Sequence, residues 1–489
     1  MSKSPLSAIV IGTGFSGLCM GIKLKAAGIE DFVILEKAEE VGGVWRENTY
    51  PGACCDIPAE LYSFSFEMKT DWSRRYPPQP EIQDYMRHCA FKYGLYPHIR
   101  FGTVVSEAAF DDSSGLWTIH TAQGESLTAR AFIAGVGQLS RPALPNIPGQ
   151  SRFSGPSFHS AEWDAAFRAA GKRIGVIGTG ASAIQFIPEL AVDAARVEIF
   201  QRTPPYVMPK PDRAYSALDR WLLKHLPGYK ELNRALWYRL GEISTGAFNR
   251  GSWIAGVYRW LTLNYMRRHI KDETLRAKLT PDYPIGCKRV LFSHNYFQAL
   301  SQDNVDVTTD PVAEITARGV RTGSGEEIEL DAIVYGSGFQ ATEFLAPMRI
   351  TGTGGRELGA AWAQGAEAYK GVVVNGFPNF FMLYGPNTNL GSNSIIFMIE
   401  CQVGYIMQCL QALRTHKLKA LDIRAPVQQA YNEDIQAQLA ASVWSAGCNS
   451  WYHNAAGKVT NNWPGYTQAY KRQMSELDLE NFEQIPAPV

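Results

Sequence analysis

The 489-residue sequence has no excess of charge of either sign, and it lacks the cysteine spacings of a metal or redox centre. Its 47 Lys and Arg residues balance 47 Asp and Glu residues, so the net charge is +0. A neutral chain carries no electrostatic footprint of nucleic-acid or anionic-membrane binding. The eight cysteines form no CxxC pair, so no metal site is expected, and we interpret all eight as reduced thiols.

Long apolar runs are also missing. No stretch approaches eighteen uninterrupted apolar residues, since glycines and lysines break up residues 8–29, and no integral membrane segment is expected. The segment Met1–Ser7 lacks the basic and apolar sections of a secretion signal. These absences predict a cytoplasmic protein. A chain of this length is expected to form more than one domain, but it gives no indication of oligomeric state.

A glycine-rich loop follows the first apolar run. Leu6–Ile11 ends at Gly12-Thr13-Gly14-Phe15-Ser16-Gly17, and a helical pattern then continues to Gly28. The next apolar run ends in Glu36, 19 residues beyond Gly17. A helix N-terminus at such a loop binds a pyrophosphate, and an acid at this offset accepts adenosine ribose hydroxyls. A dinucleotide-binding unit is therefore predicted.

A second loop of this kind begins at residue 178. Lys172–Ile177 leads into Gly178-Thr179-Gly180-Ala181-Ser182-Ala183, and the strand-like run Val197–Phe200 ends in Gln201-Arg202-Thr203 instead of an acid. A cation at this place matches a 2′-phosphate, so NADPH is predicted over NADH. The alternative is that Arg202 is a solvated charge at a strand end.

Residues 39–67 hold a dense cluster of paired glycines and aromatics. The cluster contains Gly42-Gly43-Val44-Trp45, Tyr50-Pro51-Gly52-Ala53 and Tyr62–Phe66. Paired glycines let backbone approach a ligand, and aromatics could wall a flat ring. A turn-rich loop packed on a core would also account for the aromatics.

Charged residues interrupt apolar sequence at two places, and each needs a partner of opposite charge if it is buried. Asp56 lies among apolar neighbours and needs a cationic partner, unless its carboxylate caps its own turn. After Gly286-Cys287, the adjacent cations Lys288 and Arg289 enter an apolar run and need something anionic.

Residues 205–285 interrupt the alternation of strand and helix. The runs Arg220–Leu223, Leu236–Tyr238 and Tyr258–Leu261 are typical of aromatic-rich amphipathic helices. They could line a substrate cavity, contact a membrane surface or form the core of the insert. A Trp or Tyr stripe at helical spacing usually packs inward.

These patterns predict an α/β fold with two Rossmann-like dinucleotide-binding domains. Buried strands with glycine exits are expected at Ala131–Val136, Asp331–Tyr335 and Asn379–Tyr384, and an apolar helix at about Ser394–Leu413. We predict a discontinuous first domain, formed by residues 1–145 and 331–489. Residues 146–330 would form the second domain, with a helical insertion at about 205–285.

A twelve-residue stretch, Phe153–Asp164, joins the two glycine-loop units. With these motifs, the chain resembles the class B flavoprotein monooxygenases, and within them the type I Baeyer–Villiger monooxygenases. The family fingerprint is matched by Phe153, Gly155, His159, Trp163 and Asp164. The sister heteroatom oxygenases are expected to carry Tyr or Phe at the position of Trp163.

The resemblance implies two cofactors. FAD would occupy the first loop and Glu36, and NADPH the second loop, Arg202 and Lys288. Ser450-Trp451-Tyr452 resembles a mobile loop, at about 448–463, that closes over the nicotinamide. The predicted cofactor-binding residues are Gly12, Gly14, Phe15, Ser16, Gly17, Glu36, Lys37, Gly43, Val44, Trp45, Asp56, Tyr62, Gly178, Thr179, Gly180, Ala181, Ser182, Arg202, Thr203, Lys288, Arg289, Asn387 and Trp451.

The resemblance also implies the reaction. NADPH would reduce FAD, O2 would add to give a C4a-peroxyflavin, and this would attack a ketone carbonyl and yield an ester or lactone. Arg289 fits as the permanent cation beside the peroxide, with Asp56 fixing it, and both are the predicted catalytic residues. His159 is not assigned as a base, because the peroxide needs none; the fingerprint is expected to couple domain movement to cofactor state.

Two other enzyme classes and a binding module would share some of these features. An N- or S-oxygenating flavoprotein shares the fold, but Trp163, Asp56 and Arg289 argue against it. An NAD(P)H-dependent flavin or disulfide reductase would need a spaced cysteine pair, whereas Cys54 and Cys55 are adjacent. A non-enzymatic module is disfavoured by two intact cofactor loops. Which ketone is used, and with what selectivity, is not encoded in these motifs.

Overall fold

The computed structural model describes residues 4–448 and 450–487. Its strands are β1 (Leu6–Ile11), β2 (Phe32–Leu35), β3 (Ile99–Arg100), β4 (Val105–Asp111), β5 (Leu116–Thr121), β6 (Ser126–Ala134), β7 (Ser157–His159), β8 (Arg173–Ile177), β9 (Arg196–Phe200), β10 (Val207–Pro209), β11 (Leu291–Ser293), β12 (Val305–Thr308), β13 (Val312–Thr316), β14 (Gly319–Thr322), β15 (Glu327–Glu329), β16 (Ala332–Tyr335), β17 (Arg349–Thr351), β18 (Phe380–Met382), β19 (Leu418–Ile423) and β20 (Phe482–Pro486).

Helices connect and cover these strands. They are α1 (Phe15–Ala26), α2 (Val44–Glu47), α3 (Gln79–Lys92), α4 (Ala183–Asp193), α5 (Ala217–His225), α6 (Tyr229–Thr245), α7 (Trp253–His269), α8 (Glu273–Lys278), α9 (Tyr296–Leu300), α10 (Leu358–Ala361), α11 (Ile395–Thr415), α12 (Ala425–Ala440) and α13 (Thr467–Met474).

Two sheets organise the molecule. The first runs in the order β17-β4-β5-β6-β1-β2-β3, with β18 added to β6. The second runs β12-β9-β8-β16-β7, and all its pairings are parallel. The predicted α/β fold with two Rossmann-like units is confirmed, and the first unit is discontinuous because β17 and β18 return to its sheet.

The first sheet is buried on both faces. Along β1, Ala8 and Val10 belong to one core cluster, while Ile9 and Ile11 belong to the cluster on the opposite face. Side chains alternate between the faces of a strand, so a strand covered on both sides reads as a continuous apolar run. This explains why the period-two pattern was absent from the sequence here.

The chain returns to the first sheet later than predicted. Strand β16 lies between β8 and β7 in the second sheet, so residues 331–335 belong there and not to the first domain. A buried apolar strand with a glycine exit fits either sheet equally well, and only its pairing partners decide. The other domain limits, drawn at 145 and 146, stay predictions.

Helix α11 is the apolar helix expected near the C-terminal end. Ser394 caps it, since its Oγ accepts from the backbone N–H of Ile396 at 3.3 Å. The helix has 21 residues and is long and apolar enough to cross a membrane, but 56% of its most apolar 18-residue stretch is buried inside the protein. It packs against α1 and α13, as the core helix of a globular domain does.

Helices α5 to α8 form the insert between β10 and β11. Ser216 caps α5 through a reciprocal pair of hydrogen bonds with Asp219. The expectation that the tryptophans of the insert pack inward is wrong for Trp221, Trp253 and Trp260, which are 56%, 77% and 62% exposed. The helical spacing is present, but the stripe faces solvent.

Two cysteines correct the thiol assignment. Cys287 and Cys448 form a disulfide, with Cα atoms 6.3 Å apart, and the six other cysteines are free. The prediction that all eight are reduced is therefore wrong for this pair. The two residues are 161 positions apart in the sequence, so no local spacing could have indicated the bond.

Candidate active site

The first glycine loop forms a tight turn between β1 and α1. A Cβ at Gly17 would lie 1.8 Å from the carbonyl oxygen of Gly12, so this position accepts only glycine. Among the described residues outside its own turn, none places an atom within 4 Å of where a Cβ on Gly14 would be. The start of α1 is therefore open to the close approach of a ligand, as a pyrophosphate at a helix N-terminus requires.

Glu36 is fixed at the end of β2, against this loop. Its Oε2 accepts from the N–H of Thr13 at 2.9 Å and from the Thr13 Oγ1 at 2.6 Å, and its Oε1 accepts from the N–H of Ala38 at 3.0 Å. The residue is buried. A carboxylate has about four acceptor sites. These three donors leave one for a ribose hydroxyl, with the Arg46 Nη1 3.4 Å from the Glu36 Oε1. The neighbouring Lys37 instead pairs with Glu47 at 3.1 Å.

An aromatic wall stands beside the loop, and the predicted residues come together in it. Trp45, on the short helix α2, donates from Nε1 to the Tyr62 hydroxyl at 3.0 Å. Tyr62 meets the Phe15 ring edge-on at 5.3 Å. A Cβ on Gly43 would lie 3.2 Å from the Cα of Gly14, so the glycine pair packs on the loop itself. The remaining members, Ser16 and Val44, begin α1 and α2.

The second glycine loop repeats the turn between β8 and α4. Gly178 has a φ of +109°, and a Cβ there would lie 2.5 Å from the Gly336 carbonyl oxygen. Thr179 donates from Oγ1 to the carbonyl of Thr203 at 3.3 Å, which ties the loop to the segment after β9. Gly180, Ala181 and Ser182 lead directly into α4. The predicted residues of this loop therefore lie at one helix N-terminus.

Two cations converge beside the second loop. Burial lowers the pKa of Lys288, the nearby charge of Arg202 lowers it further, and Asp282 opposes both. The Lys288 Nζ lies 4.9 Å from the Tyr283 ring centre. Over the described ranges of the chain, neither cation forms an ion pair with a carboxylate. Two close, unneutralised cations suit an anionic ligand such as a phosphate.

Asp56 and Arg289 form an ion pair between the two units. The Arg289 Nη2 donates to the Asp56 Oδ2 at 2.5 Å, across 233 positions of sequence. Burial alone would raise the pKa of the Asp56 carboxyl, but the charge and hydrogen bond of Arg289, with a smaller contribution from Lys210, together leave that pKa below its ordinary value. The charge of Asp56 raises the pKa of Arg289, against its burial. Both side chains stay charged.

The fingerprint stretch forms the edge of the second sheet. His159 ends β7, opposite Tyr335 on β16, and its Nδ1 accepts from the N–H of Ala161 at 3.1 Å. Its Nε2 is buried and has no hydrogen-bond partner within the described residues, and burial lowers its pKa. Trp163 packs on Phe158 at 5.2 Å. Phe153 packs on the core cluster beneath the sheet. A Cβ on Gly155 would lie 2.5 Å from the Asp331 carbonyl oxygen. The Asp164 carboxylate caps its own turn, since its Oδ1 accepts from the backbone N–H of Ala166 at 2.8 Å.

The C-terminal segment brings Asn387 and Trp451 to the same region. The Asn387 amide donates to the carbonyls of Val459 at 3.0 Å and Asn462 at 3.1 Å. Its donors therefore tie it to residues 459–462. Trp451 is half-buried against Tyr452, with ring centres 4.4 Å apart. Asn449, within the predicted mobile loop, lies outside the described residues.

Several neighbours of the ion pair were not expected from the sequence. Lys210, after β10, is buried and acts on the Asp56 carboxyl, with its Nζ 3.0 Å from the Cys54 Sγ. Tyr452 lies near Arg289; burial raises its pKa to about 12, although Arg289 opposes the rise. A lone lysine after a short strand and a tyrosine in a loop have no sequence signal that separates them from structural residues.

These features together define a two-nucleotide flavoprotein monooxygenase, and the comparisons with known proteins give the family. A sequence model described as "Pyridine nucleotide-disulphide oxidoreductase" matches residues 9–233. The chain is 43% identical over 482 residues to a Baeyer–Villiger monooxygenase of Pseudomonas aeruginosa, covering 98% of this chain and 92% of that protein. A Baeyer–Villiger monooxygenase of Streptomyces coelicolor is 42% identical, covering 98% and 93%.

The fold agrees with solved structures of the same kind. A cyclohexanone monooxygenase from Rhodococcus sp. Phi1, bound to NADP+, superposes with a TM-score of 0.90 at 27% identity, over 99% of this chain and all of that one. OTEMO, in complex with FAD and NADP, gives 0.89 at 26% identity, over 98% and 100%. The chain belongs to the Baeyer–Villiger monooxygenases, and neither a heteroatom oxygenase nor a flavin reductase is favoured.

Proposed function

We propose that this protein uses FAD and NADPH to insert one oxygen atom of O2 beside the carbonyl of a ketone, giving an ester or lactone. The observation that supports this most directly is the ion pair of Arg289 and Asp56 where the two nucleotide units meet. When bound, FAD accepts hydride from NADPH and supplies the electrons that activate O2.

The protein's own residues would hold each cofactor by distinct chemistry. The open N-terminus of α1 and the fixed Glu36 carboxylate suit the pyrophosphate and ribose of FAD. Arg202 and Lys288 suit the 2′-phosphate of NADPH, which would relieve the repulsion between them. The fingerprint strand β7, attached to the second sheet, stays our candidate for coupling cofactor state to domain position.

Arg289 would act as a fixed positive charge at the reacting centre. Its pKa is raised by Asp56, so it keeps its proton at every working pH. A preorganised cation stabilises the negative charge that develops when a carbonyl is attacked. Asp56 is the positioning partner, since a bond of 2.5 Å fixes the guanidinium and partly balances its charge. Tyr452 stays neutral and adds no competing anion.

Replacing Arg289 tests the proposal. We expect Arg289→Ala to lower the rate of ester formation by roughly 100- to 1,000-fold, because one aimed donor of this kind is lost. NADPH should still be oxidised, with its electrons passing to O2 as hydrogen peroxide. The measurement is ester formed per NADPH consumed, with product mass and peroxide determined. Arg152→Ala, which removes an exposed arginine elsewhere, is the matched control. Ester formation by Arg289→Ala at the wild-type rate would exclude this role.

The ketone substrate and the cellular location can each be addressed by experiment. A screen of linear, cyclic, aryl and steroidal ketones against a thioether, with products identified by mass, would define the substrate. We propose the cytoplasm as the location, which six free cysteines favour and the Cys287–Cys448 disulfide opposes.

A further inference from the structure

Two helices of the insert present apolar side chains to solvent at helical spacing. The exposed apolar residues are Leu232, Leu236, Leu240 and Ile243 on α6, and Trp253, Val257 and Trp260 on α7. Steps of three and four residues place each set on one face of its helix. We call these two faces together the outer insert surface.

The opposite side of α6 already has its contacts. The Tyr238 hydroxyl is 2.6 Å from the Thr467 Oγ1, and Arg234 donates to the Ser63 carbonyl at 3.1 Å. Helix α7 is linked to α6 by a 2.7 Å bond between the Ser244 Oγ and the Tyr258 hydroxyl. The outer insert surface is therefore what remains after both helices have packed, and seven exposed apolar side chains on two linked helices mark a candidate interaction site.

The same segment is strongly basic, although the whole chain is neutral. Residues 205–270 contain eleven Lys or Arg and four Asp or Glu, a net charge of +7 in a chain whose total is +0. Arg239 on α6 and Arg259, Arg267 and Arg268 on α7 are exposed, and in the described part of the chain none of them forms an ion pair. Averaging over 489 residues conceals this local charge.

The positive charge of the insert favours an anionic membrane over a second copy of this chain as the partner of the outer insert surface. A second copy of this chain in a two-fold dimer would bring the same basic surface against itself, which like charges oppose. An anionic bilayer offers the opposite charge to the arginines, a headgroup layer in which tryptophan is favoured, and acyl chains for Leu and Ile. We propose that the outer insert surface docks on an anionic lipid bilayer, so that the enzyme lies on a membrane without spanning it.

Vesicle sedimentation tests this with the full-length protein. We expect it to sediment with vesicles of phosphatidylcholine and phosphatidylglycerol at low salt, and much less with phosphatidylcholine alone or at about 1 M salt, where charge is screened. The double change Arg239→Gln with Arg267→Gln, at the two arginines beside the apolar stripes of α6 and α7, should weaken binding roughly thirtyfold, because each cation near an anionic surface contributes to the attraction. Arg152→Gln with Arg318→Gln removes the same charge elsewhere and should leave binding unchanged.

The apolar contribution has its own pair of variants. Trp253→Ser with Trp260→Ser should weaken vesicle binding by about tenfold or more, since two indoles no longer enter the interface. Phe91→Ser, at a residue 79% exposed on α3, is the matched control. Thermal melting tests whether the variants fold. If the tryptophan variant does not fold, the test of membrane binding rests on the arginine variant.

Three results would overturn the proposal. One is no sedimentation with anionic vesicles at low salt. Another is equal weakening by the variants and their controls. The third is a concentration-dependent dimer, seen by light scattering, that the tryptophan changes abolish, because the outer insert surface would then be a contact between copies. Each result is independent of ketone turnover, so failure here leaves the proposed enzyme activity standing.

Discussion

We propose that two side chains, Arg202 and Lys288, distinguish NADPH from NADH. Arg202 lies where an acid would bind the ribose of NADH. Lys288 follows the insert in the sequence, and the charge of Arg202 lowers its pKa. The lysine is adjacent in sequence to Arg289, the proposed catalytic arginine. Under this proposal, cofactor choice and chemistry are coupled through two adjacent residues.

Removing Arg202 should change cofactor preference. We expect Arg202→Ala to raise the KM for NADPH by roughly 10- to 100-fold, the range for a lost hydrogen bond to a charged group, and to change that for NADH little. Initial rates with each cofactor give both constants. Arg213→Ala, an exposed arginine of the insert that pairs with Asp219, is the control. Equal increases for both cofactors would mean that Arg202 does not contact the phosphate.

Whole elements were predictable where backbone geometry itself demands particular residues. Gly12 and Gly17 identify the first turn because no side chain fits there, and Glu36 follows at a fixed offset. A buried acid such as Asp56 requires a cation without specifying which, and only the family resemblance indicated Arg289 as the partner that the structure shows. The assignment of 331–335 to the wrong sheet, the outward tryptophans and the Cys287–Cys448 bond depend on long-range contacts that no local pattern encodes.

The β19–β20 pair contains a carboxylate under electrostatic stress. Asp422 lies opposite Glu483 in the strand pair. Burial, with a smaller contribution from Glu483, raises the pKa of Asp422 to about 7. The hydrogen bond from the Gly376 N–H, at 2.9 Å, opposes this rise. Like charges directly opposite each other destabilise a strand pair. The folded protein therefore binds a proton at Asp422 that the unfolded chain releases near its ordinary value of 3.8.

Stability should fall as Asp422 ionises. Since the folded pKa lies above the unfolded one, the contribution is fully present below pH 3.8 and is lost as pH rises to about 7. The loss is roughly 4 kcal/mol at most. We expect Asp422→Asn to melt at a higher temperature than wild type at pH 8, with the difference shrinking toward pH 5. Asp303→Asn, at an exposed site, should show no such trend. A pH-independent difference would contradict the proton linkage.

At the scale of the molecule, a few contacts hold the two units against each other. The Tyr50 hydroxyl donates to the Gln185 Oε1 at 3.0 Å, and the Gln185 amide donates to the Cys54 carbonyl at 3.0 Å, so the 50–54 loop of the first unit rests on α4 of the second. The Asp56–Arg289 pair lies just beyond. The relative position of the units thus sets the geometry of the proposed reaction centre. A change in domain position, coupled to cofactor state through β7, would therefore change that geometry.

The Cys287–Cys448 bond is the covalent counterpart of these contacts. It joins the segment that carries Lys288 and Arg289 to the start of the 448–463 segment, and it closes a loop of 161 residues. By the chain-entropy argument, closing so long a loop stabilises the folded state by about 5 kcal/mol. The bond would hold the predicted loop near the arginine, whatever the loop's own mobility.

Alkylation of the denatured protein, purified without reductant, should label six thiols, and eight after reduction. Cys287→Ser with Cys448→Ser should lower the free energy of unfolding toward that of the reduced wild type, whereas Cys401→Ser, which removes a free thiol, should leave the effect of reductant intact. Eight labelled thiols before reduction would show that the pair is not bonded in the isolated protein. In that case all eight cysteines would be reduced thiols in the isolated protein, and only noncovalent contacts would join the arginine segment to the loop.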